Sequence, residues 1–233
     1  MGSIGSNLQE VKRRIAAACA GAGRGAHSVT LLAVSKTQSA AAIREACAAG
    51  QHDVGENYVQ EALRKQVELG DLAAVLRWHL IGPLQSNKTR KVAEHFDWVH
   101  TLDRLEVAQR LSDQRPAALA PLQVCIQVNV SGEASKAGVA PDDVELLARA
   151  VAELPRLRLR GLMSIPEPSD DPDVQRAQHR RLRELLELLR ARGLDVDTLS
   201  MGMSADLEAA IQEGSTMVRV GTAIFGERAR PAA

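Results

Sequence analysis

Short apolar runs alternate with longer amphipathic segments eight times along this chain, and that alternation constrains the fold more than any other feature. The runs cover residues 30–37, 52–57, 77–82, 98–103, 122–130, 157–166, 198–203 and 217–226. The segments between them space apolar residues at helical period, 171–193 being the longest, and one more helical segment, 7–20, precedes the first run. Strands alternating with helices build parallel sheets, because a parallel neighbour is reached only through a crossover. Eight such units in 233 residues predict an α/β fold, a single (β/α)8 TIM-type barrel with an additional N-terminal helix. An open doubly wound sheet also alternates strand and helix. The count of eight favours the barrel, as does the lack of a Gly-rich dinucleotide turn after the first run. The Gly-rich GAGRG (21–25) follows a helix, not a strand, and reads as a helix end and turn. PEPSDDPD (166–173) reads as a loop leading into a helix N-cap. No linker interrupts the pattern, so residues 1–233 are expected to form one domain, with an ordered core from about 7 to 228.

The charge balance excludes several function classes. Formal net charge is zero, so nothing points to nucleic acid or to an anionic membrane surface. No apolar run approaches the roughly 20 residues that span a bilayer, and the first residues lack a signal-type apolar stretch. A cytoplasmic location is the expectation. Cys19, Cys47 and Cys125 are dispersed and form no CxxC pair, and the six histidines never fall at ligand spacing on one helix. Neither a disulfide framework nor a metal is expected.

In a barrel of this type, function gathers on the loops that follow the strands. Lys36 ends the first run there, Glu56 and Asn57 the second, and Asp103 the fourth. Asn129, Ser131, Glu133 and Lys136 follow the fifth, Ser164 ends the sixth, and Ser204 follows the seventh. The chain has six lysines against twenty-three arginines. A lysine at a strand end, where arginine is the usual cation, suggests a need for an amine: a partly buried Lys loses its proton and attacks carbonyls, whereas Arg stays charged. Lys36 and Lys136 are the two candidates, and an ordinary surface lysine is the plain alternative for each. In MVRVG, Val218 and Val220 share one strand face, which leaves Arg219 to point into the barrel. An inward guanidinium needs a partner, either a ligand acceptor or an internal carboxylate such as Glu56 or Asp103. Ser204 precedes ADLEAAIQEG and reads as a helix N-cap. With Gly221 and Thr222 it also suggests the phosphate site that the last two loops of such barrels form. A phosphate near a strand-end lysine and an inward arginine fits pyridoxal 5′-phosphate (PLP).

The blocks AVSKT (33–37), GENYVQE (55–61), WHLIGPLQSNK (78–88), VHTLDR (99–104), QVNVSGEASKAGV (127–139), GLMSIP (161–166), LSMGMSADLEAAI (199–211) and VRVGTAIFGER (218–228) resemble the pyridoxal phosphate homeostasis protein family. The resemblance runs from about residue 7 to 228. Leu80 stands where the family pattern usually has Phe. The resemblance implies the PLP-binding barrel that also forms the N-terminal domain of alanine racemases. It implies an internal aldimine on Lys36, Asn57 near the pyridine hydroxyl, and Ser204, Gly221 and Thr222 around the phosphate. Arg219 would face the ring nitrogen, and His79, Ile81 and Met201 would line the pocket. Lys136 resembles a second lysine that receives PLP in transit. No catalytic residue is implied, and the family role is PLP homeostasis, as a carrier or regulator. A single-barrel amino-acid racemase is the alternative. Against it, the chain ends after its eighth strand, where racemases continue into a domain that supplies a catalytic tyrosine, and its only tyrosine is Tyr58. A monomer is expected, with apo forms of PLP-dependent enzymes as candidate recipients.

Overall fold

The first strand pairs with the last, and this closes the sheet. The computed structural model describes residues 2–132 and 136–226. Helix α1 (Ile4–Gly21) comes first, followed by β1 (Thr30–Val34), α2 (Ala40–Ala48), β2 (Asp53–Glu56), α3 (Val59–Glu68), β3 (Arg77–Leu80) and α4 (Thr89–His95). Next are β4 (Trp98–Leu102), α5 (Leu105–Gln114), β5 (Leu122–Gln127), α6 (Val144–Ala152), β6 (Leu157–Met163) and α7 (Pro172–Ala191). The last elements are β7 (Thr198–Ser200), α8 (Leu207–Gln212), β8 (Met217–Val220) and α9 (Thr222–Phe225). The strands form a closed barrel in sequence order. β1 meets β8 in parallel over Thr30↔Met217 to Ala33↔Val220. The open-sheet alternative is therefore excluded.

Strand alternation divides the side chains between two environments. Outward residues such as Val54, Val99, Val124 and Leu162 join helix residues such as Ala62, Leu111, Ala148 and Leu182 in the principal apolar cluster. Helix α1 carries Leu8, Val11, Ile15 and Cys19 on one stripe and packs them on Val218, Val220, Leu207 and Ile211. Burial of each large apolar side chain stabilises by about 1.5–3 kcal/mol, so the extra helix seals the β8–β1 seam with real adhesion. Inside the barrel a small apolar cluster is formed by Leu32, Ile81 and Met217, with Val34 and Trp98 against them. Buried polar side chains share that interior, among them His79, His100, Ser200 and Arg219.

Some element ends differ from the sequence pattern. The eighth strand stops at Val220, and its apolar continuation turns into α9, with Phe225 N–H bonded back to Gly221 O. Apolar content cannot distinguish strand from helix there. Ile224 packs on α1 instead of extending the sheet. At α7 the loop reads as expected, with Asp171 capping and Pro172 in the first turn.

Candidate functional site

Lys36 is half-buried in the loop after β1, and a buried ionic cluster grips the backbone on both sides of it. Lys65 Nζ on α3 donates to Ser35 O at 2.8 Å, to Glu56 Oε1 at 2.7 Å and to Glu61 Oε1 at 2.7 Å. Ser35 Oγ donates to Glu56 Oε1 at 2.6 Å. On the far side, Thr37 N–H donates to Glu61 Oε1 at 2.6 Å, and Thr37 holds a left-handed φ of 65°. A β-branched residue adopts that conformation only where its surroundings over-determine it. Burial pushes the Glu56 carboxyl up, against the pull of the Lys65 ammonium. Sequence reasoning placed Lys65 on a helix and missed its role. A signal was present: Lys65 continues the buried stripe of Val59 and Ala62 at intervals of three.

Asn57 follows β2 and is partly buried. The chain after β3 passes so close to it that a Cβ on Gly82 would lie 2.2 Å from Asn57 O. Glycine is obligatory there. Gly82 O is tied to β4 by Thr101 Oγ1 at 2.7 Å. Ile81 points into the barrel beside Leu32 and Met217. The loop after β8 approaches β1 in the same manner, with a Cβ on Gly221 falling 3.2 Å from Val34 O.

Arg219 points into the barrel, as the valine alternation requires, and is 4% exposed. Its partners differ from expectation. Nη1 donates to Ser200 O at 2.6 Å and Ser200 Oγ at 2.9 Å, and Nη2 to Ser164 O at 2.7 Å. Among the described residues no carboxylate bonds it: Glu56 belongs to the Lys65 cluster and Asp103 pairs with Arg104. Burial lowers the guanidinium to about 10, with the more distant Asp206 working in the opposite direction. Ser164 Oγ, in the same corner, is buried without a hydrogen-bond partner.

Ser204 lies in the turn after β7, and its backbone oxygen accepts from Arg14 on α1 at 3.1 Å. The expected N-cap role is corrected: α8 begins at Leu207 and its cap residue is Asp206, with no side-chain cap bond. Asp206 instead accepts from Met203 N–H at 2.6 Å and meets His179 Nε2 at 3.0 Å. Its carboxylate braces the turn, which starts the helix two residues later. A cleft of about 290 Å³ lies beside this turn, bordered by Met203, Asp206 and the 166–170 loop. Thr222 is exposed at the start of α9 and Gly221 is partly buried just before it. His79 and Met201 have no exposed surface. Met201 sits with Leu199 and Ala210 in the outer apolar cluster, and His79 lies deeper in the barrel. Lys136 is partly buried in the loop after β5, where Asn129 Nδ2 reaches its carbonyl at 3.4 Å. Glu133 lies outside the described residues.

The loops after β1 and β2 thus set a strand-end lysine and a partly buried amide at the same end of a closed parallel barrel toward which β8 carries its inward, buried arginine. The family described as "Alanine racemase, N-terminal domain" matches residues 6–229. A "Pyridoxal phosphate homeostasis protein" of Pseudomonas aeruginosa is 63% identical over 228 residues, 98% of this chain and 97% of that one. Its Escherichia coli counterpart is 56% identical, with 98% of each covered. PipY of Synechococcus elongatus, solved with PLP bound, superposes with a TM-score of 0.84 at 39% identity and covers 96% of this chain and all of that one. An alanine racemase of Clostridium difficile, at 14% identity and TM-score 0.72, shares the fold over 53% of its own length. The chain belongs to the pyridoxal phosphate homeostasis protein family.

Proposed function

We propose that this chain binds PLP at the carboxyl-terminal mouth of the barrel, as a Schiff base on Lys36, and serves PLP homeostasis as a carrier or regulator. The observation that carries the reading is Arg219: a buried guanidinium bonded, among the described residues, to neutral oxygens, in the same barrel as a strand-end lysine whose flanking backbone is clamped. Such a cation retains capacity for a ligand acceptor. Asn57 would lie near the pyridine hydroxyl, Ile81 against the ring, and Ser204, Gly221 and Thr222 at the phosphate. Lys136, on its own loop, is assigned to transit of the cofactor. The P. aeruginosa and E. coli relatives carry the homeostasis name and PipY was solved holding PLP, which supports the same ligand here.

The bound ring supplies an electron sink, and Arg219 weakens it. Arg remains protonated and only donates, so a pyridine nitrogen facing it stays unprotonated. Chemistry that needs a strong sink is thereby disfavoured, which suits carriage of the cofactor, with apo enzymes in the cytoplasm as recipients. The test is an absorption spectrum of the purified protein, followed by borohydride. The wild type should show a reducible band, and Lys36→Ala should lose it while staying folded. A full-strength reducible band in Lys36→Ala would rule out Lys36. Racemisation of alanine or serine above about 1 s⁻¹, an ordinary enzyme rate, would replace the carrier reading with the racemase-like one.

A further inference from the structure

Below Arg219 a single file of hydrogen bonds crosses the barrel interior. Ser200 Oγ meets His100 Nδ1 at 2.8 Å, His100 Nε2 meets His79 Nδ1 at 2.9 Å, and His79 Nε2 meets Asp53 Oδ1 at 3.1 Å. Arg77 closes the file with a bidentate grip on Asp53, at 2.6 and 2.7 Å. His79 and His100 are fully buried. The His79 ring stacks on Trp98 at 5.3 Å between centroids and 9° between planes, which fixes its orientation.

The two ends of the file determine every proton between them. Arg219 can only donate, and an ionised Asp53 can only accept. Burial opposes ionisation of Asp53, yet its bonds to Arg77 and His79 hold the carboxyl well below the usual range. His79 must then carry its proton on Nε2. Burial lowers both imidazoles, so both stay neutral. A neutral His79 accepts at Nδ1, which places a proton on His100 Nε2. His100 accepts at Nδ1, so the Ser200 hydroxyl donates to it and turns its lone pairs to Arg219. The reverse order would set two acceptors, His79 Nε2 and a carboxylate, against each other at 3.1 Å. The other nearby carboxylates bond elsewhere: Asp97 to Trp78 N–H, Asp197 to Arg160, and Asp206 to Met203 N–H.

We propose that His100, backed by His79 and Asp53, is a positioning residue for the ring-nitrogen contact of Arg219, acting through a one-way donor file that holds the Ser200 lone pairs on the guanidinium. The inference rests on the reading that Arg219 meets the cofactor ring. It also explains four buried polar groups, Asp53, His79, His100 and Ser200, inside a barrel that apolar layers usually fill.

Histidine ¹⁵N correlation spectra of the protein without cofactor test the file by itself. His79 and His100 should both appear as neutral Nε2–H tautomers from about pH 6 to about pH 9, around the ordinary imidazole range. A proton on Nδ1 of either ring, or an imidazolium, overturns the proposal. His100→Leu should raise the Kd for PLP and for pyridoxal by the same factor, about tenfold, the scale of one lost hydrogen bond. His100→Asn keeps an acceptor toward Ser200 and should recover most of that loss. If His100→Leu does not fold, Ser200→Ala breaks the file at its last link and should give the same tenfold. Unchanged affinity in these variants, or no rescue by Asn, overturns the positioning role. A wild type that binds no PLP would sink the proposed function instead, while the tautomers would still report on the file.

Discussion

Two buried cations flank the mouth of this barrel, and they are held in opposite ways. Lys65 sits between two carboxylates, Glu56 and Glu61, both at 2.7 Å. Arg219 is held by two carbonyls and a hydroxyl, with no carboxylate bonded to it among the described residues. A buried charge is costly unless a counter-charge and hydrogen bonds offset it. Lys65 has both and is complete without a ligand. Arg219 has only dipoles, so its electrostatic balance has room for an incoming acceptor. On the proposed reading, the contrast separates a cation that builds the site from one that would serve it.

Lys65→Met tests the contrast most severely. It leaves Glu56 buried without its counter-charge and should cost about 3–5 kcal/mol in denaturant unfolding. A loss of under about 1 kcal/mol, the scale of a surface pair, would mean that the cluster is not structural. Arg219→Leu should behave differently. It removes a buried charge but takes a donor from three acceptors: Ser200 O keeps Ser164 N–H and Ser200 Oγ keeps His100, while Ser164 O loses its bond, a cost of about 1–3 kcal/mol. These opposing effects should leave the apo protein within about 2 kcal/mol of wild type. PLP affinity should nonetheless fall by about ten- to a hundredfold, the scale of a bond to a charged group. If Arg219→Leu collapses the apo protein while surviving protein binds PLP normally, the two cations are alike and the comparison breaks. Ser204→Ala should cost PLP several-fold, about 1 kcal/mol for a hydroxyl bond, and leave pyridoxal unchanged. Since Ser204 caps no helix here, its loss should hardly move the apo melting temperature.

The smallest effect is in pH. His79 and His100 are both lowered by burial, whereas an unfolded histidine titrates near 6.5. Their contribution to stability is therefore intact above about pH 6.5 and is lost as pH falls, because only the unfolded chain takes up the protons. The apo melting temperature should drop on the acid side of that value. The drop should shrink in His100→Asn, which leaves one of the two imidazoles of the file, and an undiminished drop would assign it to other groups.

Much of the architecture was legible in the residues themselves. The eightfold alternation specifies the barrel, and Val218 and Val220 alone point Arg219 inward. Lys36 stood out as an amine at a strand end. The partners were not legible, because they depend on how far each strand is staggered against the next. That stagger brings Asp53, His79, His100 and Ser200 from β2, β3, β4 and β7 into one line, and local sequence does not encode it. Lys65 escaped because lysine is so rarely buried, although its helical spacing was plain. Ser204 was read as a cap because Ser and Asp both cap helices, and only the His179–Asp206 contact decides between them.

The β1–β8 seam places in time what the barrel places in space. Lys36 follows the first strand to be synthesised, Arg219 lies in the last, and Gly221 and Thr222 follow it. The two ends come to the same rim only when Thr30–Ala33 pairs with Met217–Val220, across nearly the whole chain. Contacts of such long range form late, after the intervening loops have been closed. On the proposed assignment, a nascent chain still short of β8 would have the amine without the guanidinium, and the cofactor pocket would be incomplete. Cofactor capture would then wait for completion of the fold.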